Sequence, residues 1–360
     1  MISSFSSMGC MNKPKPVAGI TSVIVPPTKM PVVIVGTGNN RYGYSNDLVT
    51  WTWGSFSFAP TSICCGIVNS ASLWVVIGNI GTTFYSSTST NGTTWTTPSS
   101  NISAIFTSTG WIYNALNFGY DKDGNGIFLA TGRGGPSGAS SVAISNDGLN
   151  WVTGGFPFAT TFFGNNCYYG NGYWVVVGNS GNTSTSVMYS SNISIAGNAS
   201  IIWTSAGTFT NPAYGVVYTG NRWLIGSNNN WLYYSSTNVP NSTYSSNQFV
   251  PQYPNAIMST QNSAVAGGAG IGYSYLSYFN PVTTSSPTSA LSATSTPSRT
   301  WQIEYVASTA TWIAVMEGTT SGNNSIAYST DTQRQNNTAW TNIATVNTNM
   351  KSCVGIAAAR

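Results

Sequence analysis

A short run of apolar residues that ends in glycine recurs along the chain. The run at residues 74–78 returns at residues 174–178 with a single change, from Ile to Val. Seven glycines that end such runs are separated by 42, 54, 46, 48, 41 and 51 residues. A repeat of this length is one supersecondary unit, which buries its apolar face by stacking against neighbouring copies. The glycines are Gly36, Gly78, Gly132, Gly178, Gly226, Gly267 and Gly318.

Each copy has the same internal order of apolar and polar positions. A short strand comes first, a turn rich in Gly and Asn follows, as at residues 170–172, and the apolar run comes next. After a second turn, a strand ends in Tyr-Ser in six copies, and a polar turn then leads to a Trp and a fourth strand. Four short antiparallel strands form one propeller blade. The sequence therefore predicts an all-β fold, a seven-bladed β-propeller of four-stranded antiparallel blades.

The two ends of the chain and one insertion set the expected boundaries. Residues 1–18 are predicted to form an N-terminal arm, and residues 19–360 to form the propeller with a Ser/Thr/Pro-rich insertion at 281–298. Residues 352–357 repeat an innermost-strand sequence with no blade after it, so we expect them to complete the first blade. Residues 19–25 fit the same inner position, and the sequence leaves that choice open.

The polar turn before the fourth strand carries the most specific pattern, Ser-x-Asp/Asn followed after a few residues by Trp. An Asp or Asn side chain accepts backbone N–H bonds in an Asx-turn, and Gly tolerates the left-handed backbone that follows. We expect the Trp to pack back over the hairpin. The predicted turn residues are Ser45, Asp47, Trp51, Ser89, Asn91, Trp95, Ser145, Asp147 and Trp151.

These turns resemble the Asp-box, or BNR repeat, of sialidase-like β-propellers. The resemblance covers nearly the whole chain as a repeat pattern, but each turn lacks one residue that the full box has between Asp and Gly. Sialidase activity in that family uses three Arg, a Tyr nucleophile activated by Glu, and an Asp acid. This chain has only Glu304 and Glu317 and no Arg-Ile-Pro signature near its N-terminus. The resemblance therefore implies the fold and not the activity.

Few residues carry charge, and this excludes several kinds of chemistry. Lys and Arg number 11 and Asp and Glu 7 in 360 residues, which is 5%, against about 25% in ordinary soluble domains. There is no His, so a Ser-His-Asp or Cys-His nucleophile is excluded within the chain. The basic residues are dispersed, which predicts no nucleic-acid binding. No run of about 20 apolar residues occurs, so we predict no membrane span.

Hydrolysis by a pair of carboxylates is also disfavoured. Three of the seven acids, Asp47, Asp147 and Asp331, belong to the polar turns. The remaining four are scattered along the chain, whereas a glycosidase needs two carboxyl groups that flank one bond. We therefore predict that the protein is not an enzyme and has no cofactor.

Residues 121–126 suggest two interpretations. Asp121, Asp123 and Asn125 supply oxygen ligands at the spacing of a calcium loop, with Gly126 at the sixth position. The carboxylate expected at the twelfth position is absent. In the repeat alignment the segment replaces residues 170–172, so we favour an enlarged hairpin turn and keep a calcium site as the alternative.

The 13 Trp residues mostly recur at equivalent positions of the repeat, which is typical of residues that pack between blades. Trp53 and Trp231 do not fall at these repeat positions. Together with Tyr233 they form the predicted contact surface.

These features favour a structural or attachment component of a virion, assembled in the host cytoplasm. No secretory signal is visible, the five Cys are expected to be buried free thiols, and low charge suits broad protein–protein packing. The expected partners are other structural proteins of a larger assembly and a cell-surface glycan. The alternative is an extracellular, carbohydrate-binding, lectin-like propeller, and a glycoside hydrolase is less favoured.

Overall fold

The computed structural model describes the strands and most of their tight turns. The arm 1–18 and the candidate strand 19–25 lie outside the described residues, as do residues 281–287 and 292–296 of the insertion. The described residues are 32–38, 41–56, 63–70, 72–106, 116–132, 140–155, 163–179, 186–196, 201–207, 209, 211–228, 231–248, 252–260, 263–269, 276–279, 288–291, 297–318, 326–330, 340–342 and 350–358.

The described residues form short β-strands and one turn of 3-10 helix at Asn101–Ala104. Most strands are five to eight residues long, as the repeat pattern predicts. In chain order they are β1 (Val32–Gly38), β2 (Arg41–Ser45), β3 (Thr52–Ser55), β4 (Ile63–Asn69), β5 (Trp74–Ile80), β6 (Thr83–Ser89), β7 (Leu116–Tyr120), β8 (Gly126–Thr131), β9 (Val142–Ser145), β10 (Val152–Thr153), β11 (Phe163–Gly170), β12 (Tyr173–Asn179), β13 (Val187–Ser190), β14 (Thr204–Ser205), β15 (Ala213–Tyr218), β16 (Trp223–Ser227), β17 (Trp231–Ser235), β18 (Tyr244–Gln248), β19 (Gln252–Thr260), β20 (Ser263–Ala269), β21 (Leu276–Phe279), β22 (Thr288–Leu291), β23 (Pro297–Val306), β24 (Thr311–Gly318), β25 (Ile326–Thr330), β26 (Thr341–Asn342) and β27 (Met350–Ala358).

Antiparallel pairing groups these strands into six four-stranded blades. Five blades follow the chain directly, each with its first strand innermost: β7–β10, β11–β14, β15–β18, β19–β22 and β23–β26. The sixth has the order β27, β1, β2, β3. The fold is therefore an all-β propeller of antiparallel sheets.

The repeat unit of β4, β5 and β6 departs from the predicted seven four-stranded blades. It has three strands, and the expected fourth is reduced to one bridge between Ser86 and Ser99. The register slips by one residue at this edge, because the N–H of Thr96 donates to the carbonyl of Thr88 at 2.8 Å, whereas regular pairing beyond Ser86 and Ser99 would place Thr97 opposite Thr88. The extra residue interrupts the ladder after a single bridge. The structure therefore has six four-stranded blades, and the prediction of a seven-bladed propeller is wrong.

The C-terminal strand closes the ring. β27 pairs with β1 from Val32 opposite Ala358 to Gly38 opposite Met350, the arrangement expected from residues 352–357. The backbone N–H of Ile356 also donates to Oε1 of Gln302 in β23, at 3.1 Å. Strands from the two ends of the described chain therefore share one blade.

The innermost strands contact one another around a complete circle. In order these are β27, β4, β7, β11, β15, β19 and β23, and β23 contacts β27 again. Amide side chains bridge some neighbours: Nδ2 of Asn117 donates to the carbonyl of Cys167 at 3.3 Å, and Nδ2 of Asn165 donates to the carbonyl of Ala213 at 2.8 Å. The inner edges of the sheets are thus joined by uncharged groups.

The core lies between adjacent sheets. Val75 and Ile77 of β5 pack with Phe128 and Ala143 of the next blade, and the other clusters likewise join residues of adjacent sheets. Each sheet is apolar on both faces and must be covered on both. The most buried large side chains include four Trp at one repeat position, namely Trp74, Trp174, Trp223 and Trp312.

The recurrent glycine marks a bulge in the inner strand. Gly164 lies opposite Gly178, but the next pair is Asn166 opposite Val177, so Asn165 is an extra residue. A bulge bends the strand and redirects its side chains. The freed Asn165 amide is the group that reaches the neighbouring blade. Cys167, two residues on, is a fully buried thiol whose Sγ donates to the carbonyl of Leu129 at 3.5 Å.

Removing residues 350–360 should abolish cooperative unfolding. The inner side of β1 would lose its pairing partner, and the fully buried Val33 and Ile34 would become exposed. Thermal unfolding followed by circular dichroism checks this, with a chain that lacks only residues 359–360 as the control. A peptide of residues 350–358 added in trans should restore part of the transition. An unchanged melting temperature in the truncated chain would contradict the closure.

Candidate contact surface

Two sets of turns meet at one end of the blades, and we call this end the turn face. It consists of the turns between first and second strands, such as 121–125, and the turns between third and fourth strands, such as 146–150. Neighbouring blades are joined there. The N–H of Lys122 donates to the carbonyl of Ile193 in the next blade at 2.9 Å. Nδ2 of Asn171 donates to the carbonyl of Asn238 at 3.2 Å.

The polar turn of the first blade is built around the carboxylate of Asp47. Oδ1 of Asp47 accepts hydrogen bonds from the backbone N–H groups of Val49 (2.9 Å) and Thr50 (2.7 Å). The Ser45 hydroxyl donates to the same oxygen at 3.0 Å and accepts the N–H of Leu48 at 2.8 Å. Leu48 has a φ of +65°, the left-handed position that the pattern predicts. A single carboxylate oxygen thus holds the turn.

The second polar turn has the same geometry with a neutral side chain. Oδ1 of Asn91 accepts the N–H groups of Thr93 at 2.9 Å and Thr94 at 2.8 Å, and Oγ of Ser89 donates to it at 3.0 Å. Gly92 has a φ of +72°. The turn therefore depends on an oxygen acceptor and not on its charge.

The third polar turn adds contact with the preceding unit. Oδ1 of Asp147 accepts the N–H groups of Leu149 at 2.9 Å and Asn150 at 2.7 Å. Gly148 has a φ of +74°, and a Cβ at this position would lie 2.5 Å from Cγ2 of Val75. Gly148 is needed both for its backbone conformation and for the close approach to the neighbouring sheet.

The fourth copy keeps the turn across an insertion. Oγ of Ser190 donates to Oδ1 of Asn192 at 2.8 Å. The same oxygen accepts the N–H of Ile202 at 3.1 Å, ten residues further along the chain.

The Trp that follows each polar turn reaches the preceding sheet, and in two copies it forms a hydrogen bond there that the sequence did not predict. Nε1 of Trp151 donates to Oγ of Ser86 at 3.0 Å as well as to the carbonyl of Gly148 in its own turn at 3.1 Å. Nε1 of Trp203 donates to the carbonyl of Gly154 in the preceding blade at 2.8 Å. The Trp thus packs over its own turn, as predicted, and also contacts the preceding sheet. In the same way, Trp95 lies edge-on to Tyr42 and Phe56 of the first blade, with ring centroids 5.8 and 5.2 Å away.

The pKa values of Asp47, Asp121 and Asp147 on the turn face are lowered. Hydrogen bonds from the backbone N–H groups of Thr50 and Val49 lower the pKa of Asp47 to about 2. Burial would raise the pKa of Asp147 and of Asp121, but hydrogen bonds, chiefly from Asn150 and Asn125, outweigh it and hold both below the usual value. A general acid needs the opposite shift. These carboxylates serve as acceptors within their own turns.

The turn at residues 121–125 is an enlarged hairpin. Oδ1 of Asp121 accepts the N–H groups of Asp123 at 2.9 Å and Asn125 at 2.8 Å, and Oδ2 accepts Nδ2 of Asn125 at 3.2 Å. Asp123 pairs with Lys122 at 2.8 Å. Both oxygens of Asp121 are thus engaged inside the turn. Within the described ranges no group of three or more His, Cys, Asp or Glu is placed to hold a metal ion.

The predicted contact residues lie apart. Trp53 in β3 stacks on Trp51 with ring centroids 6.2 Å apart and covers Gly43, where a Cβ would lie 2.7 Å from the Trp53 ring. Trp231 and Tyr233 lie on β17 in another blade, where the Tyr233 ring meets Phe209 edge-on at 5.0 Å. The structure does not bring Trp53 and Trp231 together, and Trp53 and Tyr233 each have a packing role.

Aromatic pairs that the sequence analysis missed line the inner strands. The ring centroids of Tyr169 and Trp174 are 5.3 Å apart. Tyr169 also covers Gly119 of the preceding inner strand, where a Cβ would lie 2.3 Å from its ring. The recurrence of an aromatic residue at the same position of four inner strands, β7, β11, β15 and β23, was the available signal. The equivalent pairs are Phe118 with Phe128, Tyr218 with Trp223, and Tyr305 with Trp312.

Tyr120 is the exception among these aromatic residues. It lies two residues beyond the repeat position of Phe118, and half of its surface is exposed (50%). It is the one aromatic side chain in the described ranges with this degree of exposure. Its ring is held edge-on by Phe118 and by Tyr169, each with centroids 5.8 Å away.

No family model matches the chain, and no curated protein matches it. The solved structures it resembles share the fold at low identity. A protein from Lactobacillus plantarum is 10% identical with a TM-score of 0.59, over 91% of this chain and 98% of that one. A functionally unknown protein from Desulfotomaculum acetoxidans is 10% identical with a TM-score of 0.56, over 91% and 98%. The dihydro-heme d1 dehydrogenase NirN is 11% identical with a TM-score of 0.55, over 92% of this chain and 68% of that one.

These similarities support the β-propeller fold and carry no information on function. In the part of the chain that the structure describes, no helix is long and apolar enough to cross a membrane.

Asp47→Asn should remove one source of acid sensitivity and leave the turn intact. The stabilisation by the Asp47 carboxylate is complete above its unfolded pKa of about 3.9 and is lost as pH falls through the folded value of about 2. The amide oxygen in the variant accepts the same N–H groups at any pH, as Asn91 does.

Urea unfolding of the wild type and Asp47→Asn at pH 7, 4 and 2 measures this difference. We expect similar stability at pH 7 and a smaller loss for the variant between pH 4 and 2. Asn91→Asp is the matched control and should gain acid sensitivity. Parallel pH profiles for all three proteins would show that the carboxylate does not stabilise the turn.

Trp151→Phe should lower the free energy of unfolding by about 1–3 kcal/mol, because it removes a buried donor and leaves Ser86 Oγ without that partner. A double-mutant cycle with Ser86→Ala isolates the bond between neighbouring sheets. If the two single effects simply add, Trp151 does not couple the sheets.

Proposed function

We propose that this protein is a non-catalytic β-propeller that serves as a structural or attachment component of a virion. The observation that carries the proposal is the hydrogen bonding of the polar groups on the turn face. Its described Asp carboxylates are engaged by their own turns or by Lys122, and neutral Ser, Thr and Asn groups complete the hydrogen bonding. Such a surface is suited to contact with other structural proteins of a larger assembly, on a virion assembled in the host cytoplasm.

Low charge supports this role on energetic grounds. Burying an ion in an interface costs several kcal/mol unless it is paired well. Neutral side chains that are already bonded to the backbone avoid most of this cost, and they also keep the surface rigid. The proposed contacts therefore need little desolvation or ordering.

Two exposed apolar side chains give the proposed interface its anchors. Val49 is 73% exposed and Ile202 is 66% exposed, and both lie in polar turns on the turn face. Interfaces take much of their binding energy from a few apolar anchors within a polar surround.

We also infer kinship with the sialidase-like Asp-box propellers. The hydrogen bonds of Ser45 and Asp47, and their repetition at Ser89 and Asn91, support this origin.

Carbohydrate binding is a second candidate function, which the exposed ring of Tyr120 favours. Glycoside hydrolysis has no such support, because the Asp carboxylates with shifted pKa values in the described ranges all shift downward.

Incorporation into particles tests the proposal. Mass spectrometry of purified particles should find the chain, and Val49→Asp combined with Ile202→Asp should fold normally but be lost from them. Thr94→Asp, at another exposed site of the turn face, is the control and should still be incorporated. A chain that is absent from particles and turns over fluorogenic glycosides would overturn the proposal.

A further inference from the structure

We infer that Tyr120 and the adjoining turn 121–125 form a binding site for a neutral carbohydrate. This inference names a ligand class for attachment to a cell surface, and it therefore rests on the attachment role in the proposed function.

The Tyr120 ring is a fixed, exposed platform. Phe118 and Tyr169 hold it edge-on from two sides at 5.8 Å, and half of its surface remains open. Nε1 of Trp174 donates to the backbone carbonyl of Tyr120 at 2.9 Å, which fixes the main chain. A ring held in this way loses little conformational freedom when a ligand stacks on it.

The turn beside the ring is equally well fixed. Its N–H groups bind Asp121 from within, and Lys122 is tied to Ile193 of the next blade through its backbone. The exposed Lys122 ammonium and Asp123 carboxylate, 2.8 Å apart, place a donor and an acceptor in solvent close to the platform. The exposed Tyr120 ring and the paired side chains of Lys122 and Asp123 therefore lie side by side on the turn face.

A sugar matches this combination. Its ring presents an apolar face of C–H groups, which an aromatic ring covers, and hydroxyls, which bind a carboxylate and an ammonium. The turn contains two acids and one base, Asp121, Lys122 and Asp123, and so has a net charge of −1. This charge repels a carboxylated sugar and does not affect a neutral one. The site is therefore expected to prefer neutral glycans.

Isothermal titration calorimetry with neutral tetrasaccharides tests the site. The probes are β-1,4-linked N-acetylglucosamine and β-1,4-linked glucose tetramers, with lactose and 3′-sialyllactose as a pair that differs by one acidic sugar. We expect at least one neutral probe to bind with a dissociation constant of about 1 mM or tighter, and lactose to bind more tightly than 3′-sialyllactose.

Tyr120→Leu should weaken binding at least about tenfold, or about 1.4 kcal/mol, while keeping an apolar side chain against Phe118 and Tyr169. Tyr120→Phe should retain binding within about twofold, because the ring is unchanged. Tyr85→Leu, on β6 of a different repeat unit, is the matched control and should have no effect. Circular dichroism melting verifies that each variant is folded.

Three outcomes would overturn the inference. These are no binding of any probe, equal binding by Tyr120→Leu, or loss of binding in Tyr85→Leu alone. Tighter binding of 3′-sialyllactose than of lactose would refute the preference for neutral sugars. None of these results affects the incorporation test, so failure of this site is distinguishable from failure of the structural role.

Discussion

Closure of the ring is the constraint on which the rest of the structure depends. Each sheet is apolar on both faces, and an open row of sheets would leave two faces exposed to water. Pairing of β27 with β1 completes the first blade from both ends of the described chain. The seven inner strands then form one circle, in which amide side chains such as Asn117 and Asn165 bond to the neighbouring backbone. No sheet in this circle needs to be stable alone.

Neutral hydrogen bonds replace ion pairs throughout this architecture. Asp47 and Asn91 hold their turns with the same geometry, so the oxygen acceptor matters and the charge does not. The chain is only 5% charged, and the described ranges contain a single ion pair, between Lys122 and Asp123. Stability therefore depends on packing between sheets and on side chain to backbone bonds, which are insensitive to salt.

The hydrogen bonds within the polar turns also support the functional proposals. A carboxylate that accepts two backbone N–H groups has a low pKa and no proton to donate, so the turn face is suited to contact and not to acid catalysis. Val49 and Ile202 supply apolar anchors for a protein partner, and Tyr120 with its fixed turn supplies a platform for a sugar. Rigid turns that project different side chains allow one scaffold to present both surfaces.

The sequence by itself determined the all-β repeat, the polar turns and the closing strand, because strand periodicity and Asx-turns are local properties. It did not show that the β4–β6 unit lacks a regular fourth strand, since the one-residue slip that brings Thr96 opposite Thr88 is set by the pairing with β6. It also missed that Trp151 bonds to Ser86, 65 residues away. Likewise, only the tertiary structure decided that Trp53 covers Gly43 while Tyr120 stays exposed. Exposure is set by which neighbouring sheet covers a residue, and that neighbour comes from a distant part of the chain.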